Sequence, residues 1–311
     1  MKKCIVIYNP NSGHTLNKKM IPRYKKLIEK HDYKVHFIPT KYKGHAKEIV
    51  HHIGFVDLVM SMGGDGTFNE IVHGNTLRAN PLLLAHIPVG TTNDVGKMYG
   101  YIDNIEKNID LCLNGEVQNV DVPLINNRPF VYVAGFGKFL NIAYDTTREQ
   151  KKKYGYLAYI INGIKDFFKD THMYDIIYTV DGVQHSISCS MMMICSATRV
   201  AGFDSFFRDV KLNDDQFEVY IITASKRRDI IGAMGLSVIK DPKNVNNVVS
   251  FRTNNIRIKF KERLKKNWCI DGEVLEIRSL KYEIKNSHSI NMLIPKKNIN
   301  KLFIKKEEET K

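Results

Sequence analysis

The chain has 311 residues, enough for about two domains, and its 43% hydrophobic and 26% charged residues are the balance of a soluble globular protein rather than a disordered or membrane-spanning one. Lys and Arg outnumber Asp and Glu by 47 to 33, and the resulting +14 favours anionic partners: nucleic acid, anionic lipid surfaces or phosphorylated small molecules. No apolar run approaches the ~18 residues of a membrane span, and the N-terminal run stops at Asn9-Pro10, too short for a signal peptide. Five cysteines, an odd number without a C-x-x-C pair, argue against a disulfide framework or zinc site and suit a reducing cytoplasm.

In chain order, "KKCIVIY" (2–8) predicts a buried strand, followed by the turn-forming "NPNSG" (9–13). Met20, Ile21, Tyr24, Leu27 and Ile28 share one face of a helix. "YKVHFIP" (33–39) alternates as a strand, residues 45–53 predict a helix, and "VDLVMS" (56–61) a third strand. After the glycine-rich 63–67, Phe68, Ile71 and Val72 again fall on one helical face, and "PLLLAHIPVG" (81–90) is a fourth strand. Four strand–helix alternations argue for a parallel α/β layer, whose ligands lie at the carboxyl ends of the strands. Beyond about residue 120 the rhythm changes. One long helical pattern (141–169) stands among short strands: "FVYVAGF", "YDIIYTV", "QHSISCSMMMIC", "FEVYII", "IRIKF", "WCI", "EVLEI" and "YEI". Asp181-Gly182 marks a two-residue hairpin, and the half reads as a mostly antiparallel sandwich, with "INMLIP" as a last strand before a charged tail.

"GGDGT" (63–67) is neither a G-x-x-x-x-G-K-[ST] loop nor a dinucleotide fingerprint, because Asn69 stands where the third glycine belongs. It is either a tight turn or a strand-to-helix loop whose backbone N–H groups approach a polyphosphate. Asp65 suits the second reading if Mg²⁺ lies between carboxylate and phosphate. "IPVGTTNDVG" (87–96), "NPNSG" and Thr40 could converge on the same crevice. Asp271-Gly272, between "WCI" and "VLEI", reads as a hairpin turn, as Asp181-Gly182 does, although a hairpin tip can also project a carboxylate into a cleft.

The ordered set "NPNSG" (9–13), "TKYKGHA" (40–46), "GGDGTFNE" (63–70), "PVGTTND" (88–94) and "DGE" (271–273), with "KKYGYLAYIINGIK" (152–165) and "LNDDQFEVYII" (212–222), resembles the diacylglycerol kinase catalytic family, in its soluble bacterial form, over nearly the whole chain. "GGDGT" alone extends to NAD kinases and phosphofructokinases; the early "NPNSG" and late "DGE" favour the lipid kinases. The resemblance implies an α/β ATP-binding domain of the NAD kinase/phosphofructokinase-like type over 1–122, completed by 290–311. It implies a β-sandwich lipid-substrate domain over 123–289, with the active site between them. The implied reaction moves the γ-phosphoryl group of ATP, with Mg²⁺, to a lipid hydroxyl, with diacylglycerol, giving phosphatidic acid, as first choice; phosphatidylglycerol or a sphingoid lipid as acceptor, or a non-catalytic lipid- or nucleotide-binding regulator on the same fold, are the alternatives. By the same resemblance Asn9, Pro10, Asn11, Ser12, Gly13, Thr40, Gly63, Gly64, Asp65, Gly66, Thr67, Phe68, Asn69, Glu70, Gly90, Thr91 and Asn93 contact ATP. Asp65 organises the catalytic Mg²⁺, Asp94 and Asp121 extend its carboxylate network, and Glu273, beside Asp271, is the general base that takes the hydroxyl proton. A second, structural Mg²⁺ would use Asp215 and the carbonyls of Leu212 and Phe217, although Gln216 stands where the family usually has glycine. A homodimer is also implied.

The early histidines match no compact zinc spacing, and "MMMIC" (191–195) is expected to be core strand. The basic runs "KKKY" (151–154), "KRR" (226–228) and "KFKERLKKNW" (259–268), the last with the sole tryptophan, could track a nucleic acid, but no nucleic-acid motif accompanies them. Attraction to an anionic membrane surface is the more economical reading, at ~1 kcal/mol per basic residue. Lys165 could face lipid headgroups there. The expectation is a cytoplasmic enzyme held peripherally at the inner face of the membrane, with no nucleic-acid partner.

Overall fold

The computed structural model describes residues 1–12, 18–138, 170–200, 203–204, 207 and 209–305. Gly13, the helix expected over 141–169, "KKYGYLAYIINGIK", "KKKY" and Lys165 lie outside them.

The first strands are β1 (Lys2–Tyr8), β2 (Tyr33–Pro39), β3 (Leu58–Gly63) and β4 (Leu84–Pro88), paired in parallel in the order β2-β1-β3-β4. Every residue of β3 and β4 is buried, as a parallel sheet covered on both faces requires. The cover comes from α1 (Ile21–Glu29), which buries Tyr24 and Ile28 one turn apart, α2 (His45–His52), which buries Ala46 and Val50, and α3 (Asp65–Thr76), which buries Phe68, Ile71 and Val72. Two helices the apolar pattern did not suggest follow: the short α4 (Asp94–Met98) and α5 (Ile105–Leu113), the latter capped by the Asn104 side chain accepting from the Lys107 N–H.

The second half begins with β5 (Glu116–Ile125), β6 (Arg128–Pro129) and β7 (Val133–Gly137). It continues with β8 (Tyr174–Val180), β9 (Val183–Cys189), β10 (Met191–Cys195), β11 (Arg199–Val200), β12 (Phe203–Asp204) and β13 (Phe217–Ile222). After α6 (Arg227–Ile239) come β14 (Val248–Thr253), β15 (Asn255–Phe260), β16 (Cys269–Ile270), β17 (Glu273–Val274), the long β18 (Lys281–Ile294) and α7 (Ile299–Leu302). The hairpin at Asp181-Gly182 forms as expected, both residues at positive φ.

Two expectations need correction. "QHSISCSMMMIC" is not one strand: it breaks at Ser190, whose N–H bonds the Ile222 carbonyl, and its halves join different sheets. "YEI" and "INMLIP" are instead one strand, β18, kinked by a bulge between Asn286 and His288. The N-terminal part of β18 pairs β15, its C-terminal part reaches β4 in parallel at Met292, and β5 runs antiparallel along it from Ile284 to Ile294. The parallel quartet and the antiparallel strands β15, β8 and β9 therefore form a single hydrogen-bonded sheet. The boundaries expected at 122/123 and 289/290 both fall inside strands.

A second sheet, β14-β13-β10-β7-β16-β17, packs on the antiparallel part. The two faces of β10 explain "MMMIC". Met192 and Ile194 join a core with Phe136, Tyr178, Ile258 and Trp268 between the sheets, while Met191, Met193 and Cys195 face the other way, into the core shared with Ile230 and Ala233 of α6. All five cysteines are buried free thiols.

Candidate active site

The loops following β1, β2, β3 and β4 meet at the carboxyl edge of the parallel strands. The chain holds them together with backbone bonds: Asn9 N–H to the Met62 carbonyl, Thr40 N–H to Tyr8, and Val89 N–H to Gly63. "GGDGT" is shorter as a loop than its composition suggests. Gly64 is the N-cap, and Asp65, Gly66 and Thr67 already form the first turn of α3. The glycines serve close approach: a Cβ built on Gly90 would stand 2.6 Å from the Gly64 Cα, and one on Gly63 2.6 Å from the Thr67 Cβ. The Asn93 side chain closes the second loop, accepting from the Gly90 N–H (2.7 Å) and donating to its carbonyl (3.1 Å). A cleft opens beside these loops, lined by Asn9, Asn11, Thr40, Thr67 and Glu70 together with Lys41, Tyr42 and Lys43.

Asp65 is buried beneath this edge. Its carboxylate accepts from the Asp94 N–H (3.1 Å), the Val95 N–H (3.3 Å) and the Thr92 hydroxyl (3.4 Å), so it holds the start of α4. Burial, and then the charge of Asp94, push its carboxyl up to about 7, while the two backbone N–H groups pull it down. Asp94 is itself buried and accepts from the Arg199 Nε at 3.1 Å. Tyr132, in the segment just before β7, lies among Asp65, Asp94 and Asp271; burial and these three charges raise its phenol well above the ordinary range. Asp65 and Asp94, two neighbouring buried carboxylates, are a donor set suited to Mg²⁺, which keeps several waters and takes one or two carboxylates plus phosphate oxygens. Among the described residues no group of three or more His, Cys, Asp and Glu side chains is placed to hold a metal ion on its own.

The β16–β17 turn joins the site through Asp271. At φ 48°, followed by Gly272 at φ 82°, Asp271 is the left-handed first residue of the hairpin. Its carboxylate accepts from the N–H groups of Val131 (2.6 Å), Tyr132 (3.0 Å) and Val133 (3.0 Å) and from the Asn69 amide (2.5 Å). Asn69 in turn accepts from Arg128 (2.6 Å). Asp271 thus clasps α3 to the second sheet, and its neighbour Glu273 is left half-exposed at the cleft mouth. Glu273 pairs with the Lys43 ammonium, and a Cβ built on Gly66 would stand 3.7 Å from its Oε1.

The remaining expected residues divide. Asn11 donates its N–H to Asn9 Oδ1, Ser12 donates its N–H to the Asn9 carbonyl, and Thr91 is exposed at the second loop; Pro10 belongs to the same turn. Glu70 reaches across to accept from the Gly44 and Ala46 N–H groups, holding the start of α2; burial raises its carboxyl. Phe68 does not line the cleft: it is fully buried and stacks on His86 at 4.6 Å. Asp121 does not join Asp65. Its Oδ2 accepts from the Asp215 N–H (2.7 Å), its own N–H bonds the Leu212 carbonyl (2.7 Å), and burial first, with Asp215 and Asp214 adding to it, pushes it up to about 6. Asp121 thus belongs with Leu212 and Asp215 in the loop before Phe217. There the positive φ falls on Asp215 (59°), one residue ahead of Gln216. Lys43, Arg128, Tyr132 and Arg199 are site residues that the motifs did not single out; Lys43 alone lay inside one, beside Thr40.

Residues 3–125 match the family profile of the diacylglycerol kinase catalytic domain. The chain is 27% identical over 276 residues to the diacylglycerol kinase of Bacillus subtilis (strain 168), covering 88% of this chain and 90% of that one. It is 30% identical over 239 residues to the diacylglycerol kinase of Staphylococcus aureus (strain JH9), covering 76% and 75%. A crystal structure of a diacylglycerol kinase from Bacillus anthracis (strain Sterne) superposes with a TM-score of 0.77 over 96% of this chain and 99% of that one; at 22% identity this speaks for the fold.

Proposed function

Given that the chain belongs to the diacylglycerol kinase family and is a lipid kinase, we propose that it transfers the γ-phosphoryl group of ATP to the hydroxyl of diacylglycerol, giving phosphatidic acid, with Glu273 as general base. The observation that carries this reading is the meeting of two distant segments. The turn bearing Glu273 is clasped through Asp271 to α3, the helix whose first turn bears Asp65, and Glu273 faces Gly66 of that turn.

In this reading the cleft lined by Asn9, Asn11, Thr40 and Thr67 binds ATP, with the polyphosphate against the loop edge at Gly63, Gly64 and Gly90. Pro10, Ser12, Thr91 and Asn93 shape the rims of that edge. Asp65 and Asp94 would hold Mg²⁺, which when bound neutralises charge on the transferring phosphoryl group. Lys43, on the cleft wall, adds positive charge where the terminal phosphate would lie and leaves Glu273 to it. The pair is half-exposed, so it is worth little by itself and exchanges readily for a polyanion. Glu273 then accepts the hydroxyl proton as the new bond to phosphorus forms and the bond from the γ-phosphorus to the bridging oxygen breaks, releasing ADP, a role worth roughly 10²–10⁴ in rate. The proposed division puts ATP on 1–122 with 290–311 and the lipid on 123–289. Asp121, Asp215 and the carbonyls of Leu212 and Phe217 would serve a structural cation. We place the enzyme, as a homodimer, in the cytoplasm at the inner membrane face.

The test is label transfer from γ-labelled ATP, with and without Mg²⁺, to diacylglycerol, phosphatidylglycerol, a sphingoid base and NAD in parallel. Mg²⁺-dependent labelled phosphatidic acid supports the reading. Preferential label on another lipid moves the acceptor, and label on NAD overturns the lipid assignment for this site.

A further inference from the structure

The segments 259–268 and 274–281 run side by side as a two-armed ribbon leading away from the Asp271–Glu273 turn. Backbone bonds fix the arms: Leu275 N–H to the Trp268 carbonyl and Phe260 N–H to Leu280, each 2.8 Å, with the Asn267 amide donating to the Leu275 carbonyl at 2.8 Å. Trp268 is fully buried beneath, against Phe136 and Tyr282, so the ribbon rests on a packed core.

Its outer surface combines two kinds of side chain. Lys259, Lys261, Arg263, Lys265, Lys266, Arg278 and Lys281 are all exposed. Against them stand the exposed Glu262, which pairs with His172, and Glu276, while Asp175 lies 3.5 Å from Lys261. Arg263 and Arg278 line a common cleft with Leu264, Asn267, Ser279 and Tyr282, and have no ion pair among the described residues. Interleaved with this charge, Val274, Ile277 and Leu280 are 40–43% exposed. Exposed aliphatics amid guanidinium and ammonium groups suit an interface that is anionic at the surface and hydrocarbon below. They do not suit a nucleic acid, which would want an exposed aromatic for stacking: Trp268 and Tyr282 are both buried. Lysine density also disfavours a protein interface, whose cores are depleted in lysine.

We propose that this ribbon is the surface by which the enzyme docks on anionic lipid, through Arg263 and Arg278 at the headgroups and Val274, Ile277 and Leu280 among the upper acyl carbons. This deepens the reading above and rests on its acceptor being a bilayer lipid. Glu273 immediately precedes Val274, so docking here presents the base at the surface where such an acceptor resides.

The test is co-sedimentation with phosphatidylcholine vesicles with and without phosphatidylglycerol, alongside phosphate transfer to diacylglycerol in neutral detergent micelles. Wild type should partition onto the anionic vesicles only. Arg263→Gln/Arg278→Gln should bind about 30-fold more weakly and with a flatter salt dependence, from ~1 kcal/mol per basic residue at an anionic surface. Ile277→Ser/Leu280→Ser should weaken binding with the salt dependence retained, and both variants should keep wild-type micellar activity. Variants that sediment like wild type overturn the surface, as does wild type that ignores anionic vesicles while active in micelles. Dimer dissociation caused by the same substitutions, with vesicle binding intact, overturns it too. Absence of micellar transfer by wild type tells against the proposed reaction instead, independently of the vesicle result.

Discussion

Replacing Asp65 by Asn should make the ligand-free protein more stable while abolishing its activity. The carboxylate is buried beside Asp94, and it is pushed from the 3.8 of a free carboxyl up to about 7. Between about pH 4 and about pH 7 the folded chain therefore holds a proton that the unfolded chain has released. The unfolded state binds fewer protons, so stability falls as pH rises through that window and levels off above it. The full displacement corresponds to a ceiling of roughly 4 kcal/mol at pH 8, part of it shared with Asp94. An asparagine keeps one oxygen for the Asp94 N–H and the Thr92 hydroxyl but turns its amide nitrogen toward the Val95 N–H, at a cost of about 1 kcal/mol. The net gain is about 1–3 kcal/mol at pH 8 and less at pH 5, a rise of several degrees in midpoint for a chain of this size. Thermal unfolding in chelator at both pH values measures it. Adding Mg²⁺ with ATP should stabilise wild type and leave Asp65→Asn unmoved. An Asn variant that melts below wild type at pH 8, or whose offset is the same at both pH values, would refute the reasoning that Asp65 is an uncompensated buried charge.

Asp271→Asn keeps the shape of the clasp but sets an amide N–H₂ against backbone donors at Val131, Tyr132 and Val133; urea unfolding should show a loss of about 3 kcal/mol. Activity should fall with it, because the same carboxylate ties Asn69 of α3 to the Glu273 turn. Gly90→Ala drives a methyl to 2.6 Å from the Gly64 Cα and should cost about 1–3 kcal/mol and raise the KM for ATP. Gly54→Ala, with nothing within 4 Å, should leave both stability and KM near wild type in the same assays.

The parallel quartet was legible because β3 and β4 are continuous apolar runs ending in Gly-rich loops, the pattern of strands buried on both faces, and β2 at the edge alternates. "MMMIC" was legible as core for the same reason. β18 was not: its polar centre, "KNSHS", reads as a loop, and pairing with β5 across the bulge, with β15 at Lys285, keeps it extended. The break at Ser190 was hidden because both sides have strand character, and what divides them is a bond to Ile222 in another strand. α6 carries Gly232 and Gly235 and β-branched residues, so local propensity argues against the helix that packing on Tyr220 and its neighbours supports. In the site, the motifs located the loop edge and the Glu273 turn. The partners that define its electrostatics come from elsewhere: Arg199 on Asp94, Tyr132 among three carboxylates, Asp215 on Asp121. Each is a contact between distant segments, which periodicity and turn chemistry do not encode.

In the proposed mechanism Glu273, half-exposed beside Gly66 of the Asp65 turn, takes the proton of a lipid hydroxyl as phosphate is transferred. The most direct measurement is phosphate transfer from ATP to diacylglycerol in mixed micelles by wild type and by Glu273→Gln, with ATP binding followed separately. Wild type should give labelled phosphatidic acid, and the variant should lose roughly 10²–10⁴ in kcat with ATP affinity little changed. A Glu273→Gln enzyme that turns over at the wild-type rate would contradict that mechanism.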